Sequence, residues 1–383
     1  MIVAAVLVYS FAVALVYSYR LRRAFRWYRW QTAPPLAGND NKQEKRLPSL
    51  SVCIPARNEA HALAQCLEYV LSSDYPKMEI VVFDDGSRDD TSLLIKSFAH
   101  AGVRFIPGKP LPDGWVGKTH ALNILAEEAS GEILVFLDVD TLIAPFSLSH
   151  IVAKMQADSL DIVSIVPQRQ DTHRASALFS TLRYYWEMIL ATRQQPASSS
   201  SLWLLRRSYL ASINGGFSSV KTAAQPERAF AEANMAHQQT WMSTPGLGVY
   251  YEKRLSSQLE TGQRLAWPLA RRNLLSLLLV MSGMLAWVIP VVCMVYGALI
   301  TNWNMVILSL GVLVVWCGIY WYYAAHAWTH RQFLAFLVWP YVALQDSLNG
   351  IVSVVKYATG NVRWKGRSIH ANVMNHSYLT IDE

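Results

Sequence analysis

Two carboxylates stand two residues apart where an apolar run of the sequence ends. The run Ile133–Leu137 predicts a buried strand, and Asp138-Val139-Asp140 follows it directly. Carboxylate oxygens suit Mg²⁺ or Mn²⁺, and such an ion can bridge to a diphosphate and stabilise it as it leaves. Taken alone, a D-x-D triplet is better explained as a polar turn after a buried strand.

A second pair of carboxylates follows another apolar run. Glu79–Phe83 predicts a buried strand, and Asp84-Asp85-Gly86-Ser87 comes directly after it. A carboxylate here can accept hydrogen bonds from a ribose or a base edge, and Gly86 lets the backbone turn tightly. A capped turn into the following helix explains the same residues equally well.

Three polar residues follow a third apolar run. Leu50–Ile54 predicts a short buried strand, and beyond Pro55 the chain continues with Arg57, Asn58 and Glu59. If the three predicted strands share one sheet, these side chains reach the same sheet edge as the two carboxylate pairs. The alternative is a loop that starts a helix.

A lysine opens a predicted helix further along the chain. Lys118 follows Gly117 and precedes Thr119, and a lysine at a helix N-terminus is well placed to bind phosphate. The nucleotide-binding motif G-x-x-x-x-G-K-[ST] is excluded, because it needs a glycine where this chain has Pro112. No G-x-G-x-x-G follows a strand either, which argues against a dinucleotide-binding fold.

Strands and helices alternate along this part of the chain. The helices are predicted from apolar spacing over Ala60–Ser72, from Asp90 and Thr91 onward, and over Thr119–Ala129, and a further strand over Val103–Ile106. Such alternation predicts a parallel sheet with its sites at the carboxyl ends of the strands. All four polar motifs fall at a strand end or a helix start, and chance turns would not be expected to line up in this way.

These segments, in this order and spacing, resemble family 2 glycosyltransferases of the GT-A fold. The matching segments are Ile54–Glu59, Val82–Ser87, Gly117–Asn123 and Asp138–Asp140. The fold implied is an α/β GT-A (nucleotide-diphospho-sugar transferase) domain with a mainly parallel sheet. A narrower resemblance, to membrane glycosyltransferases associated with hopanoid and carotenoid pathways, rests on Leu111–Lys118 and on Trp364–Arg367 in the tail.

The resemblance implies an inverting, metal-dependent transferase that uses a nucleotide sugar, with UDP as the expected nucleotide. Asp140, as a catalytic residue, is expected to bind Mn²⁺ or Mg²⁺ with Asp138 beside it. In such enzymes a carboxylate takes the proton of the acceptor as its oxygen attacks the sugar. The residues expected to bind the donor are Pro55, Arg57, Glu59, Asp84, Asp85, Lys118 and Asp138.

The sequence departs from the family pattern at this base. The family places Glu-Asp shortly after a Gly-Gly-(Phe or His) turn, whereas here Gly215–Phe217 is followed by Glu227 and then Arg228. An arginine stays protonated and cannot serve as a general base. We therefore expect Glu227 to be the base, with Glu232 as the next candidate. The alternative is that Glu227 and Arg228 form a solvated helix start.

A second departure concerns the product and the class of protein. Processive synthases of the family carry Q-x-x-R-W, whereas Gln263–Trp267 has related residues in another arrangement, so transfer of a single sugar is expected. The expected acceptor is lipid-borne, namely a carotenoid, a hopanoid or another isoprenoid.

The alternative to a transferase is a catalytically impaired nucleotide-sugar-binding or scaffold protein of a membrane glycolipid pathway. Arg228 favours this alternative, and the intact Asp138 and Asp140 oppose it.

The apolar residues are concentrated at the two ends of the chain. Hydrophobic residues make up 52% of the 383 residues, and neither Met1–Tyr19 nor the stretch between Arg272 and Arg331 carries a charge. These stretches predict one and two membrane-spanning helices, respectively. Arginines flank both stretches, a pattern that indicates an anionic membrane surface, and no motif for binding nucleic acid is present. The four cysteines show no metal-ligand or disulfide spacing and are expected to be free thiols.

The expected organisation is that of a multi-pass protein of the cell membrane with its catalytic domain in the cytoplasm. The predicted parts are an N-terminal transmembrane helix (1–19), a basic juxtamembrane segment and linker (20–47), the GT-A domain (48–272), two transmembrane helices (273–326), and an interfacial or re-entrant segment with a basic tail (327–383). Phe333–Tyr357 could instead form a third crossing. The aromatic stretch Leu178–Leu190 predicts either core packing, which we favour, or a membrane-surface helix.

Overall fold

The computed structural model describes residues 2–28, 47–170, 175–192, 196–270, 272–329, 335–365 and 367–369. The chain divides into two compact units. The helical unit comprises Met1–Trp27, Arg169–Ala191 and Lys253–Val362, and the sheet unit comprises Tyr28–Gln168, Thr192–Glu252 and Arg363–Glu383. The continuous domain 48–272 expected from the sequence is thus divided, because residues 169–191 and 253–272 group with the C-terminal helices. The linker predicted over Gln31–Arg46 lies outside the described residues.

The sheet unit contains most of the strands of the chain. They are β1 Leu50–Ala56, β2 Met78–Asp84, β3 Val103–Pro107, β4 Ile133–Leu137, β5 Thr141–Ile143, β6 Ile162–Val166, β7 Gln168–Arg169, β8 Leu202–Arg206, β9 Gln238–Met242, β10 Val249–Tyr251, β11 Val362–Trp364 and β12 Arg367–Ile369, with β7 and β11 crossing the unit boundaries. The main sheet has seven strands in the order β3-β2-β1-β4-β8-β6-β9. Strand β8 runs antiparallel to both of its neighbours, and the other pairs are parallel. The expectation of a mainly parallel sheet is confirmed.

The central strands are apolar on both faces because helices cover both sides of the sheet. Val52 and Ile54 belong to one buried cluster and Cys53 to another, so successive side chains of β1 enter opposite layers of the core. This explains why the sequence shows continuous apolar runs here rather than an alternating pattern. Cys53 is a buried free thiol, as expected.

The helices of the sheet unit connect these strands. They are α2 Ala60–Leu71, α3 Thr91–Ser97, α4 Gly117–Glu128, α5 Ser147–Ala157, α8 Arg207–Ser212 and α9 Pro226–Ala233, while α1, α6 and α7 belong to the helical unit. Helix α4 begins two residues earlier than predicted, at Gly117, and this places Lys118 in its first turn. Strands β5 and β10 form a separate antiparallel pair.

Among the described residues, the helical unit contains two helices long and apolar enough to span a membrane, and one bent pair of helices that is either a broken span or a re-entrant loop. Its helices are α1 Ile2–Tyr28, α6 Ala175–Leu178, α7 Arg183–Leu190, α10 Leu255–Leu269, α11 Leu274–Leu285, α12 Ile289–Leu299, α13 Trp303–Ala327 and α14 Ala335–Ala358. The candidate spans are α1 and α13, together with α11 and α12 as a pair bent by 47°. The first of the two transmembrane helices predicted over 273–326 is thus divided into α11 and α12. Pro290, in the first turn of α12, lacks the N–H that a continuous helix would use.

Large aromatic residues fill the interior of the helical unit. Trp287 stands against the rings of Tyr185, Trp316 and Trp339, at centroid distances of 5.2, 4.8 and 4.7 Å. Helix α7 buries Tyr185 and its neighbours in this cluster, so the aromatic stretch 178–190 packs in a core. Helix α14 is continuous through Pro340 and belongs to none of the candidate spans.

Candidate active site

The two central strands of the main sheet separate where the site residues begin. The pairing of β1 with β4 ends at Cys53 and Phe136, whereas its pairing with β2 continues to Ala56. Pro55, which lies beyond the last β4 pair, has no N–H to donate to a neighbouring strand. Strand order reverses between β1 and β4, and α/β sheets bind ligands in the crevice at such a switch point.

Arg57 ties the end of β1 to the turn after β2. Its guanidinium donates hydrogen bonds to the carbonyl oxygens of Asp85 and Gly86, and the carboxylate of Asp85 lies 4.0 Å from Nη1. Arg57 and Asp85 are both buried. The structure therefore brings together two residues that the sequence placed on separate strands.

Asp84 stabilises the turn that follows β2. Its carboxylate accepts hydrogen bonds from the backbone N–H of Ser87 at 2.9 Å and from the hydroxyl of Ser92. A Cβ atom at Gly108 would overlap with the carbonyl oxygen of Asp84, so this turn needs a glycine beside it. These bonds agree with the capped-turn interpretation, and Asp84 still lies at the carboxyl end of β2.

Lys118 and Asp138 form an ion pair in the crevice. Lys118 Nζ lies 2.5 Å from Asp138 Oδ1, and the lysine is 7% exposed. The first turn of α4 supplies the lysine, and the end of β4 supplies the aspartate. Ion pairs of this kind hold both charges in a fixed place. The positive end of a helix and one of the two predicted metal-binding carboxylates, Asp138, thus meet at one point.

Asp140 lies two residues further along the same turn. Its carbonyl oxygen accepts a hydrogen bond from the N–H of Glu252 at 3.0 Å, which fixes the backbone next to β10. Among the described residues, no group of three or more His, Cys, Asp or Glu side chains could hold a metal ion. Asp138 and Asp140 follow β4 two residues apart and carry hard oxygen donors, and a divalent cation held by two carboxylates has further ligand positions for a substrate. Burial raises the pKa of the Cys66 thiol, and the charges of Asp140 and Asp138 add to this effect.

A run of serines, which the sequence analysis did not single out, lies beside Asp138. The N–H of Asp138 donates to the carbonyl oxygen of Ser201 at 2.9 Å, and Arg228 Nε donates to the hydroxyl of Ser198 at 3.3 Å. The loop Ser198–Ser201 therefore links Arg228 to the predicted metal-binding turn. Four consecutive serines are visible in the sequence, and all four are buried in the structure, so this run was the available signal for the loop next to Asp138.

The predicted base occupies a buried position. Glu227 is in the first turn of α9, after Pro226, and is 1% exposed, while Glu232 is half-buried on the same helix. The alternative of a solvated helix start is therefore wrong for Glu227. A carboxylate in the first turn of a helix is stabilised by the helix dipole.

A residue of the basic tail also reaches this edge. Lys365 Nζ lies 2.5 Å from Glu59 Oε1, and Arg57 Nε donates to the carbonyl oxygen of Lys365 at 3.1 Å. From the sequence, Lys365 was expected in a basic tail and had no predicted role in the site. Lys365 and Glu59 are 306 residues apart, so local sequence patterns could not predict their contact.

Comparison with known families adds to this geometry. Residues 51–213 match the family Glycosyl transferase family 2. This part of the chain is thus similar to family 2 glycosyltransferases, and the fold is GT-A. The fold predicted from the motifs between Leu50 and Asp140 is thereby confirmed, and the predicted family is supported over residues 51–213. The hopanoid and carotenoid subgroup stays a prediction.

Known glycosyltransferases resemble this chain over part of their length. The probable glycosyltransferase YdaM of Bacillus subtilis is 31% identical over 118 residues, which are 30% of this chain and 28% of that protein. An N-acetylglucosaminyltransferase of Mesorhizobium japonicum is 34% identical over 125 residues, 32% of this chain and 29% of that protein. The chain thus matches less than a third of the length of either relative.

A solved structure extends the likeness of the fold to almost the whole chain. The mannosyltransferase PcManGT from Pyrobaculum calidifontis, in complex with GDP-Man and Mn²⁺, has a TM-score of 0.54 with this protein at 18% sequence identity. The comparison covers 96% of this chain and 99% of that one. At this identity the likeness concerns the fold.

Proposed function

We propose that the protein is an inverting glycosyltransferase that moves a single sugar from a nucleotide sugar to a lipid-borne acceptor at the cytoplasmic face of the membrane. The observation that carries the proposal is the crevice between β1 and β4, where the Lys118–Asp138 ion pair and Asp140 stand at the open end of the sheet. The expected donor is a UDP-sugar, and the expected acceptor is a carotenoid, a hopanoid or another isoprenoid.

The charges of the crevice suit an anionic nucleotide sugar. Lys118 supplies a cation at a helix N-terminus, where a phosphate oxygen can replace the Asp138 oxygen as its partner. Glu59 follows β1, Asp84 ends β2 and Asp85 follows it. Their carboxylates can accept hydrogen bonds from the ribose hydroxyls or the base N–H groups of a nucleotide. Pro55 and Arg57 complete this half of the proposed donor site.

A divalent cation, Mn²⁺ or Mg²⁺, fits the residues present. Asp138 and Asp140 would hold it, and the diphosphate of the donor would complete its ligands, which agrees with a protein that offers two carboxylates rather than a closed cage. When bound, the cation would neutralise charge on the departing diphosphate. In the relative PcManGT, Mn²⁺ is present together with GDP-Man.

Glu227 is the proposed base of the reaction. Inversion by single displacement needs a carboxylate that accepts the proton of the acceptor hydroxyl as its oxygen attacks the sugar. Glu227 is 1% exposed and lies in the first turn of α9, one residue before the Arg228 that stands at the position of the family base. Arg228, half-buried and bonded to Ser198, would then hold the loop next to Asp138 in place.

Features of the helical unit support a lipid acceptor and a cytoplasmic catalytic domain. A cleft within this unit has apolar walls that include Leu265, Leu277 and Met284, with Arg183 and Asp346 among its polar lining residues. Such a cleft can take an apolar chain with a polar head. At the basic end of α1, Arg23 stacks on Trp27 with its Cζ 4.1 Å from the ring centroid. An arginine and a tryptophan together are typical of a cytoplasmic membrane interface.

One observation favours a second function. Arg228 occupies the position where the family has its base, so the protein could bind a nucleotide sugar without transferring it. In that case it would act as a binding or scaffold protein of a glycolipid pathway.

The test is the release of nucleoside diphosphate from a panel of UDP- and GDP-sugars. Full-length protein in detergent is incubated with Mn²⁺ or Mg²⁺ and membrane lipid extract, beside Asp140→Asn and Glu227→Gln. Asp158→Asn and Glu128→Gln are matched controls, since both residues are exposed and belong to other ion pairs.

We expect release that needs both metal and lipid and that both site variants lose while both controls keep it. If Asp140→Asn loses the release and Glu227→Gln keeps it, the base is a residue other than Glu227, and Glu232 is the next candidate. If a donor binds with metal and is never turned over, the proposed transferase function is wrong and the binding or scaffold function is adopted instead.

A further inference from the structure

The C-terminal tail meets the proposed donor site through Lys365. Its ammonium group lies 2.5 Å from Glu59 Oε1, and its carbonyl oxygen accepts a hydrogen bond from Arg57 Nε at 3.1 Å. The two partners lie two residues apart after β1, and the tail is therefore held at two points. The Lys365 and Glu59 side chains are 20% and 16% exposed, so solvent screens this ion pair less than one at an open surface.

The same contacts extend from the tail to the turn after β2. Arg57, which binds the carbonyl oxygen of Lys365, also binds the carbonyl oxygens of Asp85 and Gly86. The tail, the end of β1 and the turn after β2 are thus connected through one buried guanidinium group. A change in the tail can alter the placement of Glu59 and Arg57 together.

The positive charge of Lys365 offsets part of the negative charge at this edge of the sheet. Glu59, Asp84, Asp85, Asp138 and Asp140 are carboxylates at one edge of the sheet, which would repel an anionic diphosphate unless cations offset them. Arg57 follows β1, and Lys118 lies in the first turn of α4. Lys365 adds a third cation, from the opposite end of the chain.

We propose that Lys365 is a positioning residue of the donor site, which holds the Glu59 carboxylate and offsets its charge, and that residues 363–365 of the C-terminal tail form one wall of this site. This inference rests on the proposed function, because it assumes that the crevice binds a nucleotide sugar. The ligand class concerned is a nucleoside diphosphate and its sugar ester. Lys365 acts on the donor through Glu59 and does not take part in the displacement.

The experiment compares Lys365→Gln with Arg363→Gln in the full-length protein. Arg363 is an exposed residue of the same tail, so its substitution removes the same charge without removing the ion pair. Binding of UDP and GDP with Mn²⁺ is measured by calorimetry, and KM and kcat are measured with any donor that is turned over. Loss of one charge-assisted hydrogen bond predicts a Kd and a KM about tenfold higher for Lys365→Gln, with kcat within about twofold.

Two further variants separate positioning from general stability. Lys365→Arg, which keeps the charge, is expected to bind within about threefold of the wild type. In the double variant with Glu59→Gln, the second substitution should cost much less than it does alone, since the two residues act as a unit.

Equal affinity of Lys365→Gln and Arg363→Gln for the nucleotide would overturn the inference and leave the proposed function standing. So would a lower thermal midpoint of Lys365→Gln with unchanged Kd and KM. A wild-type protein that binds no nucleotide would overturn the proposed function and this inference with it.

Discussion

The sheet unit and the helical unit place their carboxylates in contrasting surroundings. In the sheet unit, Asp138 and Asp140 stand where a strand ends, and Lys118 lies against the first of them. In the helical unit, Asp346 is buried and accepts hydrogen bonds from Trp186 Nε1 at 2.8 Å and from the N–H of Leu182 at 3.0 Å. A carboxylate at an open strand end can exchange its partner for a ligand, whereas one enclosed by fixed donors holds the structure together.

The difference predicts that the same kind of substitution has opposite consequences in the two units. Replacing an aspartate by asparagine changes charge and leaves size almost unaltered. In the sheet unit it should reduce activity at constant stability, and in the helical unit it should alter stability. The following predictions test this contrast, from the largest expected effect to the smallest.

The largest effect is expected for Asp140→Asn. Removing a charged ligand of the proposed cation should lower kcat/KM by about 10³-fold, since stabilisation of a leaving diphosphate depends on that charge. The thermal midpoint should change little. Turnover of nucleotide sugar and thermal unfolding, measured on the same preparation, check this. A variant with near wild-type turnover would remove Asp140 from the site.

The next largest effect is expected for Glu227→Gln. The amide keeps the size of the buried side chain and cannot accept a proton, so kcat should fall by about 10²-fold while KM for the donor stays close to the wild-type value. Steady-state kinetics with saturating lipid acceptor measure both quantities. Equal losses in Glu227→Gln and the exposed control Glu128→Gln would argue against Glu227 as the base.

A smaller effect is expected for Lys118→Met. The variant keeps the aliphatic stem and loses the cation at the helix N-terminus, so the donor should bind about tenfold more weakly. Lys77→Met, at an exposed position, serves as the matched control. Calorimetric titration with nucleotide sugar and Mn²⁺ gives the two affinities. Unchanged affinity in Lys118→Met would mean that its ion pair with Asp138 persists when the donor is bound.

The smallest effect concerns the pH dependence of stability. Burial raises the pKa of Asp346 to about 6, although hydrogen bonds from Trp186, Leu182 and Asn349 act in the opposite direction. Because this pKa lies above the ordinary value, the folded protein binds the proton more tightly than the unfolded chain. The free energy of unfolding should therefore fall by about 1 kcal/mol between pH 5 and pH 6 through this group.

Asp346→Asn should remove that part of the slope. Its side-chain oxygen can still accept a hydrogen bond, so the variant should be more stable relative to the wild type at pH 6 than at pH 5. Denaturant unfolding in detergent at the two pH values measures this, with the exposed Asp158→Asn as control. An unchanged slope in Asp346→Asn would assign the pH dependence to other groups.

The sequence predicted the strands well because buried strands of a parallel sheet are apolar throughout. Ile133–Leu137 is the predicted strand residue for residue, and the polar residues after it lie at the predicted edge. The meeting of Lys118 with Asp138 could be anticipated, since one begins a helix and the other ends a strand of the same sheet. Features that depend on local sequence, such as buried strands and the polar residues that follow them, were therefore predicted correctly.

Long-range packing accounts for what the sequence did not predict. The ion pair of Lys365 with Glu59 and the division of residues 48–272 between two units depend on contacts between distant segments. Asp346 interrupts an apolar stretch of sequence, and this favoured an interfacial or re-entrant segment. In the structure Asp346 accepts hydrogen bonds from Leu182, just before α7, and from Trp186 within it, and α14 is continuous.

The most direct test of the central claim is calorimetric titration of the full-length protein with UDP- and GDP-sugars, with and without Mn²⁺, beside Asp140→Asn. We expect at least one nucleotide sugar to bind in a metal-dependent manner and Asp140→Asn to lose that dependence. Binding that is equally tight without metal and in Asp140→Asn, or no binding of any nucleotide sugar, would contradict the assignment of the crevice between β1 and β4 as the donor site.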